Sequence, residues 1–357
     1  MLDDAFPYEL TEDEIRQIDN IENMMIESEV TDTWSVSRIK TALSCPLRFH
    51  LHYNYGLKIQ KPSRSMVHGN IAHKALAAYR KNLWQTRRPN AHVMYATLEE
   101  VFDNEAAADI SKVTSNAKEK NGMKISIQQQ LEKFHEKMQG THGSIPLTFF
   151  DKPTKTEFAA VEIESKIPII DIFSQERDLV SPKKLHIIID DISKNSKYGV
   201  GVWDHKFVSK QWSKFQIITD IQLIAYAYAF RYMAMNGYFP EIKDADINFT
   251  EDCVGFNLIY KTKEPKVSIK NHQVEDWQIK QLFDIIRHLE HMESNNLYHP
   301  SFIYEHYRCC NGCPFNIGIV GTDSFNPQMS ICMQYSRGAS KDDLIEIANK
   351  INAINKE

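Results

Sequence analysis

Residues 185–208 read LHIIIDDISKNSKYGVGVWDHKFV, with two apolar segments on either side of a polar turn. Two such segments joined by a short turn predict an antiparallel β-hairpin. A hairpin centred on Lys197 places Asp190 opposite Asp204. Because side chains alternate between the two faces of a strand, Asp204 and Lys206 share one face and His205 points to the other.

This hairpin would gather two carboxylates and an ammonium group on one small patch. Carboxylates that face each other across a strand pair repel, so the arrangement is costly unless a cation lies between them. Mg²⁺ prefers hard oxygen ligands, lowers the pKa of a bound water and neutralises charge on a phosphate. The pattern therefore predicts a metal site at Asp190 and Asp204, with Lys206 stabilising the transition state. The alternative is that the acids end a strand and lie on the surface.

The periodicity of the chain predicts an α/β protein. Apolar residues at helical spacing predict helices, and alternating apolar residues predict strands. The predicted helices are 37–55, 67–83, 91–139 with an interruption at Asn121-Gly122, 212–236, 273–295 and 339–355. The predicted strands are 159–171, 184–190, 200–208, 254–260 and 266–270. This order is typical of an α/β core wrapped by helices, with a helical insertion at about 85–150.

The charge of the chain is divided unevenly along its 357 residues. Residues 1–33 hold eleven acidic side chains and one basic one, Arg16, and could form a short helix at 12–26. The net charge of −5 therefore becomes about +5 for the rest of the chain, which is compatible with nucleic acid. The alternative is a solvated acidic leader without a special function. The absence of a long apolar run and of a signal peptide predicts a cytoplasmic protein without membrane association.

The hairpin acids belong to a series of four motifs that follow one another along the chain. They are HGNIAHKAL with Gly69 and His73, IIIDDI with Asp190, WDHKF with Asp204 and Lys206, and DIQLIAYAY with Gln222 and Tyr226. An aromatic-rich segment, SRIKTALSCPLRFHLHYNYGL, precedes them at 37–57. Over roughly residues 35–335 the chain resembles the RecB-type branch of the PD-(D/E)XK nucleases. The resemblance implies a restriction-endonuclease-like core, in which a central mixed sheet is flanked by helices.

The resemblance also implies roles for individual residues. His73, Asp190, Asp204 and the carbonyl of His205 would ligate Mg²⁺ or Mn²⁺, and Lys206 would be the catalytic lysine. Gln222 and Tyr226, one helical turn apart, would face the site. Asp191 remains the alternative to Asp190, because the family has Gly where this chain has Ile187. Either Glu162 or Glu164 would add an acid.

The cysteines resemble a subgroup of this family that includes AddAB-type nucleases and CRISPR-associated adaptation nucleases. In that subgroup one cysteine before the core and three after it hold a 4Fe–4S cluster. The corresponding residues are Cys45, Cys310, Cys313 and Cys332. Cys309 is an alternative ligand, and a structural Zn²⁺ site is the alternative cofactor. Cys253 is predicted to lie in the core.

Basic and aromatic residues follow the Asp-x-Lys motif and predict contacts with DNA through Lys210, Trp212 and Lys214. The alternative is a solvated helix face. The chain carries no P-loop motif, so a helicase or recombination protein is an expected partner. The predicted organisation is an acidic leader at 1–33, a nuclease domain at 34–337 with a cysteine region at 309–332, and a terminal helix at 338–357.

We therefore expect a metal-dependent DNA nuclease, an exonuclease acting on single strands or duplex ends in recombination, repair or the processing of phage or CRISPR DNA. A non-catalytic iron–sulfur scaffold that binds nucleic acid and a structure-dependent endonuclease are the alternatives.

Overall fold

The computed structural model describes residues 33–57, 63–139, 143–195, 199–242, 253–298 and 339–354. The predicted helix at 12–26 and the cysteines at 309, 310, 313 and 332 lie outside these ranges. The described chain divides into two compact units. The first lies within residues 63–283, and the second comprises 34–57, 284–298 and 339–354.

After the first strand, the described chain forms six helices, six strands, two helices, two strands and two helices in that order. The helices are α1 Val36–Ser44, α2 Pro46–Phe49, α3 Arg64–Thr86, α4 Ala91–Glu100, α5 Ala107–Val113, α6 Ala117–Gln139, α7 Lys214–Ile218, α8 Ile221–Met235, α9 Asp276–Ser294 and α10 Lys341–Ile354. Single π-helical turns occur at His50–Asn54 and Val101–Glu105. The strands are β1 Thr33–Ser35, β2 Ser144–Pro146, β3 Thr148–Asp151, β4 Thr156–Ala159, β5 Val161–Ile170, β6 Leu179–Asn195, β7 Gly199–Val208, β8 Cys253–Tyr260 and β9 Val267–His272.

The sheet of the first unit is mixed, as expected. β6 pairs antiparallel with β5, with β7 and, at its far end, with β2. β7 pairs parallel with β8, which pairs antiparallel with β9. In the β6–β7 ladder Asp191 pairs with Trp203, which is the register predicted for the hairpin centred on Lys197.

Four boundaries differ from the sequence-based prediction. The helical region 91–139 is broken near Asn116 rather than at Asn121-Gly122, because the Asn116 side chain accepts the Glu119 N–H and starts α6. Its predicted extension to about 150 is wrong, since β2 and β3 occupy 144–151. The helix predicted at 212–236 is two helices, because Asp220 caps α8. The helix predicted at 37–55 breaks at Cys45, which caps α2.

Two helix layers complete the first unit. α3, α4 and α6 pack around one apolar cluster that includes Tyr79, Phe134 and Ile259 of the sheet. α8 is buried all round, since every residue from Leu223 to Ala234 is buried. A helix without a polar face is typical of a position inside the protein, so Gln222, the partly exposed residue near its start, stands out.

The second unit has its own apolar cluster, in which Cys45, Leu47 and Leu51 pack with Leu344 and Ala348 of α10. No helix in the described ranges is both long and apolar enough to cross a bilayer.

A buried ion pair fixes α3 against the sheet. The Arg80 Nε lies 2.6 Å from Asp191 Oδ2, and both side chains are almost fully buried. The two terminal nitrogens of Arg80 donate to the carbonyl and the hydroxyl of Ser144 at the start of β2. Burial raises the pKa of Asp191, and the charge of Arg80 opposes that rise. Arg80 thus joins a helix and two strands.

We predict that Arg80→Met lowers the free energy of unfolding by about 3–5 kcal/mol, because it leaves the Asp191 carboxylate buried without its cation. Lys74→Met on the same helix is the matched control, since Lys74 forms an exposed ion pair with Glu105. Exposed pairs contribute less than about 1 kcal/mol. Urea denaturation measures both variants. Equal losses of unfolding free energy in the two variants would contradict a special role for the buried pair. Adding Asp191→Leu to Arg80→Met should restore part of the stability, because it removes the unpaired buried carboxylate.

Candidate active site

The two predicted acids lie where β6 and β7 separate. Asp190 follows the buried Ile189 in β6, and its Oδ2 accepts the backbone N–H of His205 at 2.7 Å. Asp204 is 2% exposed and lies on β7 next to Phe256 of β8. Its Oδ1 accepts a hydrogen bond from Gln222 Nε2 at 2.6 Å. The hairpin therefore brings both acids together in one buried region of the sheet.

Two cations flank these acids. The Nζ of Lys206 lies 2.8 Å from Asp204 Oδ2. His73 extends from α3, and its Nδ1 lies 3.3 Å from Asp190 Oδ2. Lys206 also lies over the ring of Phe256, with its Nζ 5.8 Å from the ring centre. Each acid thus has a positively charged or protonatable partner.

Gln222 and Tyr226 connect α8 to this cluster. Besides its bond to Asp204, Gln222 Nε2 donates to the Tyr226 hydroxyl at 2.8 Å. The Tyr226 hydroxyl in turn donates to the carbonyl of Ile188 on β6. Because the two residues are one helical turn apart, they form a single line of hydrogen bonds from the β6 backbone to Asp204. They hold Asp204 through Oδ1, whereas Lys206 contacts Oδ2.

The two carboxyl groups differ in acidity. Burial tends to raise the pKa of Asp190, but the hydrogen bond and charge of His73 outweigh it and lower that pKa to about 2. For Asp204, burial and the negative charge of Asp190 act in the same direction, and they raise the pKa to about 6 against the opposing charge of Lys206. Asp190 is therefore the stronger acid, and the charge of Lys206 favours ionisation of Asp204.

The basic groups respond to the same charges. Burial lowers the pKa of His73, but its bond to Asp190 and the charges of Asp190 and Asp204 raise it above the usual value. Burial also opposes the charge on Lys206, and Asp204 more than compensates, so the pKa of Lys206 is raised. Both groups therefore favour the charged form in this cluster.

Within the described chain, the imidazole of His205 is not hydrogen-bonded to Asp190 or Asp204. Its Nδ1 lies 3.2 Å from Asn257 Nδ2, and its ring contacts Phe134 of α6. Burial lowers the pKa of His205 to about 3, so the ring is neutral. The expectation that His205 contributes a ligand therefore concerns its backbone carbonyl.

The alternative residues lie in other environments. Asp191 is bound to Arg80, and this geometry favours Asp190 for the acidic cluster. Glu162 has a left-handed backbone (φ 53°) and pairs with Lys81, whose Nζ lies 3.6 Å away. Glu164 is exposed and bonds to His186. In the described chain neither glutamate is hydrogen-bonded to Asp190 or Asp204.

The predicted DNA-contacting residues follow β7 on the same chain segment. Lys210 and Lys214 are exposed, whereas Trp212 is half-buried. The Trp212 ring meets Phe256 edge-on, with ring centres 4.9 Å apart. Phe256, which the sequence analysis missed, therefore contacts both Trp212 and Lys206. No sequence signal could identify it before the register of β7 with β8 was known.

The remaining predicted ligands are only partly described. Cys45 is buried and forms no disulfide with a described residue, and its Sγ accepts the Arg48 N–H at 3.4 Å. Cys310, Cys313 and Cys332, with the alternative Cys309, lie outside the described residues. The sequence analysis also missed Arg80, although it lies seven residues after His73, two turns along the same helix.

The donor chemistry of the cluster fits a hard divalent cation. Asp190 and Asp204 repel each other, and this repulsion helps to raise the pKa of Asp204. Carboxylate oxygens are the ligands that Mg²⁺ and Mn²⁺ prefer. Within the described ranges, however, no three His, Cys, Asp or Glu side chains are arranged around a common point as ligands. The acids bond instead to His73, Lys206 and Gln222.

Comparison with known proteins places the chain in a family. The model of the PD-(D/E)XK nuclease superfamily matches residues 33–317. No curated protein matches the sequence. Similar solved structures include a protein from Eubacterium rectale named "Putative exonuclease", with 13% identity, coverage of 85% of this chain and 93% of that chain, and a TM-score of 0.37. Since the superfamily model spans most of the sequence, and the mixed sheet carries the acidic cluster, the chain belongs to the PD-(D/E)XK nuclease superfamily.

Proposed function

We propose that this protein is a metal-dependent DNA exonuclease of the RecB-type branch, which hydrolyses phosphodiester bonds of single strands or duplex ends. The observation that carries the proposal is the contact network of Asp190, Asp204 and Lys206, two acids and a lysine at the separation of two strands. If the pair of Lys206 and Asp204 served stability alone, a second acid beside it would be unnecessary, because Asp190 and Asp204 repel each other.

The metal would be held by Asp190 and Asp204, with His73 and the carbonyl of His205 as further ligands. When bound, Mg²⁺ or Mn²⁺ supplies a more acidic water and neutralises charge on the phosphate. This requires the acids to be ionised, and both His73 and Lys206 favour that state.

The protein side chains would orient the reaction. Lys206 keeps its proton because Asp204 raises its pKa, so its ammonium can donate to a phosphoryl oxygen or to the attacking water. Gln222 holds Asp204 Oδ1, and Tyr226 holds Gln222. This line leaves Asp204 Oδ2 for Lys206 and for the metal. Gln222 and Tyr226 are positioning residues in this scheme.

Exposed Lys210 and Lys214, with half-buried Trp212, would contact the strand that enters the site. We further propose that unwinding of a duplex substrate is supplied by a helicase or recombination protein.

We predict that Lys206→Ala lowers the rate of DNA cleavage by at least about 10²-fold, since it removes a donor aimed at developing charge. The measurement is degradation of end-labelled single- and double-stranded DNA with Mg²⁺, Mn²⁺ or EDTA. Lys194→Ala is the matched control, because Lys194 is an exposed lysine on the paired strand, and it should cleave like the wild type. Thermal unfolding checks that both variants fold.

Equal cleavage by Lys206→Ala and the wild type would reject Lys206 as catalytic. No cleavage by any folded protein with either metal would favour the scaffold alternative. A circular single strand has no end from which an exonuclease could start. Cleavage of such a substrate would therefore support the endonuclease alternative instead.

We also propose a 4Fe–4S cluster held by Cys45, Cys310, Cys313 and Cys332. The support is the resemblance of the cysteine spacing to the cluster-containing subgroup, together with the burial of Cys45. Thiolates are suitable ligands for such a cluster. A cluster would add stability, since ligand binding by a folded state stabilises it.

We predict that protein purified without oxygen is brown and contains iron and sulfide, and that Cys45→Ser and Cys313→Ser each lose the colour. Cys253→Ser is the control, because the sequence places Cys253 outside the ligand set, and it should keep the colour. Visible absorption and iron analysis make the comparison. A colourless wild type with one zinc per chain would establish the zinc alternative.

A further inference from the structure

A second group of basic side chains lies at the start of α3, apart from the acidic cluster. It consists of Arg64, His68 and Lys261, called here the α3 basic cluster. Lys261 follows β8, where its backbone N–H donates to the Val208 carbonyl at the end of β7. Its Nζ reaches the first turn of α3 and donates to the Ser65 carbonyl at 3.5 Å. The pairing at the ends of β7 and β8 thus places Lys261 beside the first turn of α3.

This position is unfavourable for cations. The first turn of a helix carries partial positive charge and unsatisfied N–H groups, so it favours acids and anions. The first turn of α3 contains no acidic residue and begins with Arg64. Glu119 of α6 does interact with Arg64, but its carboxylate is already bonded to the Ser115 N–H. Within the described ranges, the first turn of α3 itself offers no acid to balance these cations.

His68 provides an independent observation. It is only 6% exposed, and both of its ring nitrogens lack a hydrogen-bond partner within the described part of the chain. Burial, followed by the charges of Lys261 and Arg64, lowers the pKa of His68 to about 3, so the ring is neutral. A buried polar group without a partner is destabilising and calls for an explanation. Because helical side chains lean towards the N-terminus of their helix, the ring leans towards the turn that carries Arg64.

Phe207 places this cluster next to the acidic one. Its ring meets the His68 ring at 5.8 Å and the His73 ring at 5.7 Å, between centres. His68 precedes His73 by five residues, which corresponds to about 7.5 Å along the helix axis. Because successive phosphates of one duplex strand are at least about 3.4 Å apart, this distance spans at most about two nucleotides.

We propose that the α3 basic cluster binds a backbone phosphate of the nucleic acid, one or two nucleotides from the phosphate at Asp190, Asp204 and Lys206. The proposal rests on the nuclease function proposed above. The bound phosphate would accept hydrogen bonds from His68, Lys261 and the backbone N–H groups of the first two residues of α3, since Ser63 already accepts the next two. It would thereby satisfy the buried imidazole and neutralise the cations at the start of the helix.

The first test removes one charge. Binding of a fluorescein-labelled single-stranded oligonucleotide is measured by anisotropy, with EDTA to prevent cleavage, at several salt concentrations. Lys261→Ala should bind about 3- to 10-fold more weakly at low salt, and the slope of log affinity against log salt should fall by about 0.7, as expected for one lost phosphate contact on a single strand. Lys263→Ala is the matched control, since it removes an exposed lysine two residues away, and it should keep the slope of the wild type.

The second test separates a binding histidine from a core histidine. His68→Phe keeps an aromatic ring against Phe207 but removes both ring nitrogens. A phosphate-binding role predicts an unchanged or higher melting temperature together with weaker oligonucleotide binding. A higher melting temperature with unchanged binding would show that His68 is a core residue, and His68 would then leave the proposed site.

The outcomes distinguish this proposal from the nuclease proposal. If the wild type neither binds nor cleaves DNA, the nuclease function fails first. If the wild type binds but Lys261→Ala behaves like Lys263→Ala, only the phosphate site is overturned. Calorimetric titration with inorganic phosphate covers free phosphate as a source. If inorganic phosphate releases heat with the wild type but not with Lys261→Ala, and both proteins bind the oligonucleotide equally well, the site binds free phosphate and not a nucleic-acid strand.

Discussion

The position of α3 against β6 is the constraint on which the acidic cluster depends. This one helix supplies the partners of two consecutive acids, with Arg80 paired to Asp191 and His73 paired to Asp190. The Arg80 pair is buried and bonded further to β2, so the helix has little freedom to slide or rotate. Because His73 lies two turns from Arg80 on the same helix, its distance from Asp190 follows from the buried pair. A residue with no chemical role thus determines the geometry of a candidate ligand.

The hairpin and its chemistry were predictable from the sequence, because both depend on local patterns. Alternating apolar residues on either side of a polar turn determine which residues pair, and the observed pairing of Asp191 with Trp203 has the predicted register. The mixed sheet followed from the resemblance. Helix breaks were less predictable, since Asn116 and Asp220 end or begin helices through single side-chain hydrogen bonds. Asn121-Gly122, the stronger sequence signal for a turn, lies inside α6, where packing outweighs its low helix propensity.

Residues that act through partners far along the chain were not predictable. Arg80 and Asp191 are 111 positions apart, and their pairing is visible only once α3 lies on β6. Phe256 becomes a neighbour of Asp204 through parallel pairing of β7 with β8. Neither residue type signals such a position, because arginine is usually exposed and phenylalanine usually fills a core. The motifs identified the chemical groups, whereas the structure adds the residues that hold them.

The site occurs where β7 loses one of its two partner strands. The β6–β7 register ends at Asp191 and Trp203, while the β7–β8 register continues to Val208 and Tyr260. Beyond Trp203 the backbone of β7 therefore needs new partners on the side of β6, since unpaired backbone groups in a buried sheet are costly. The His205 N–H obtains one from the Asp190 carboxylate. This hydrogen bond satisfies the backbone of β7 and also holds Asp190 beside Asp204. The acidic cluster therefore forms because β6 and β7 separate at this point.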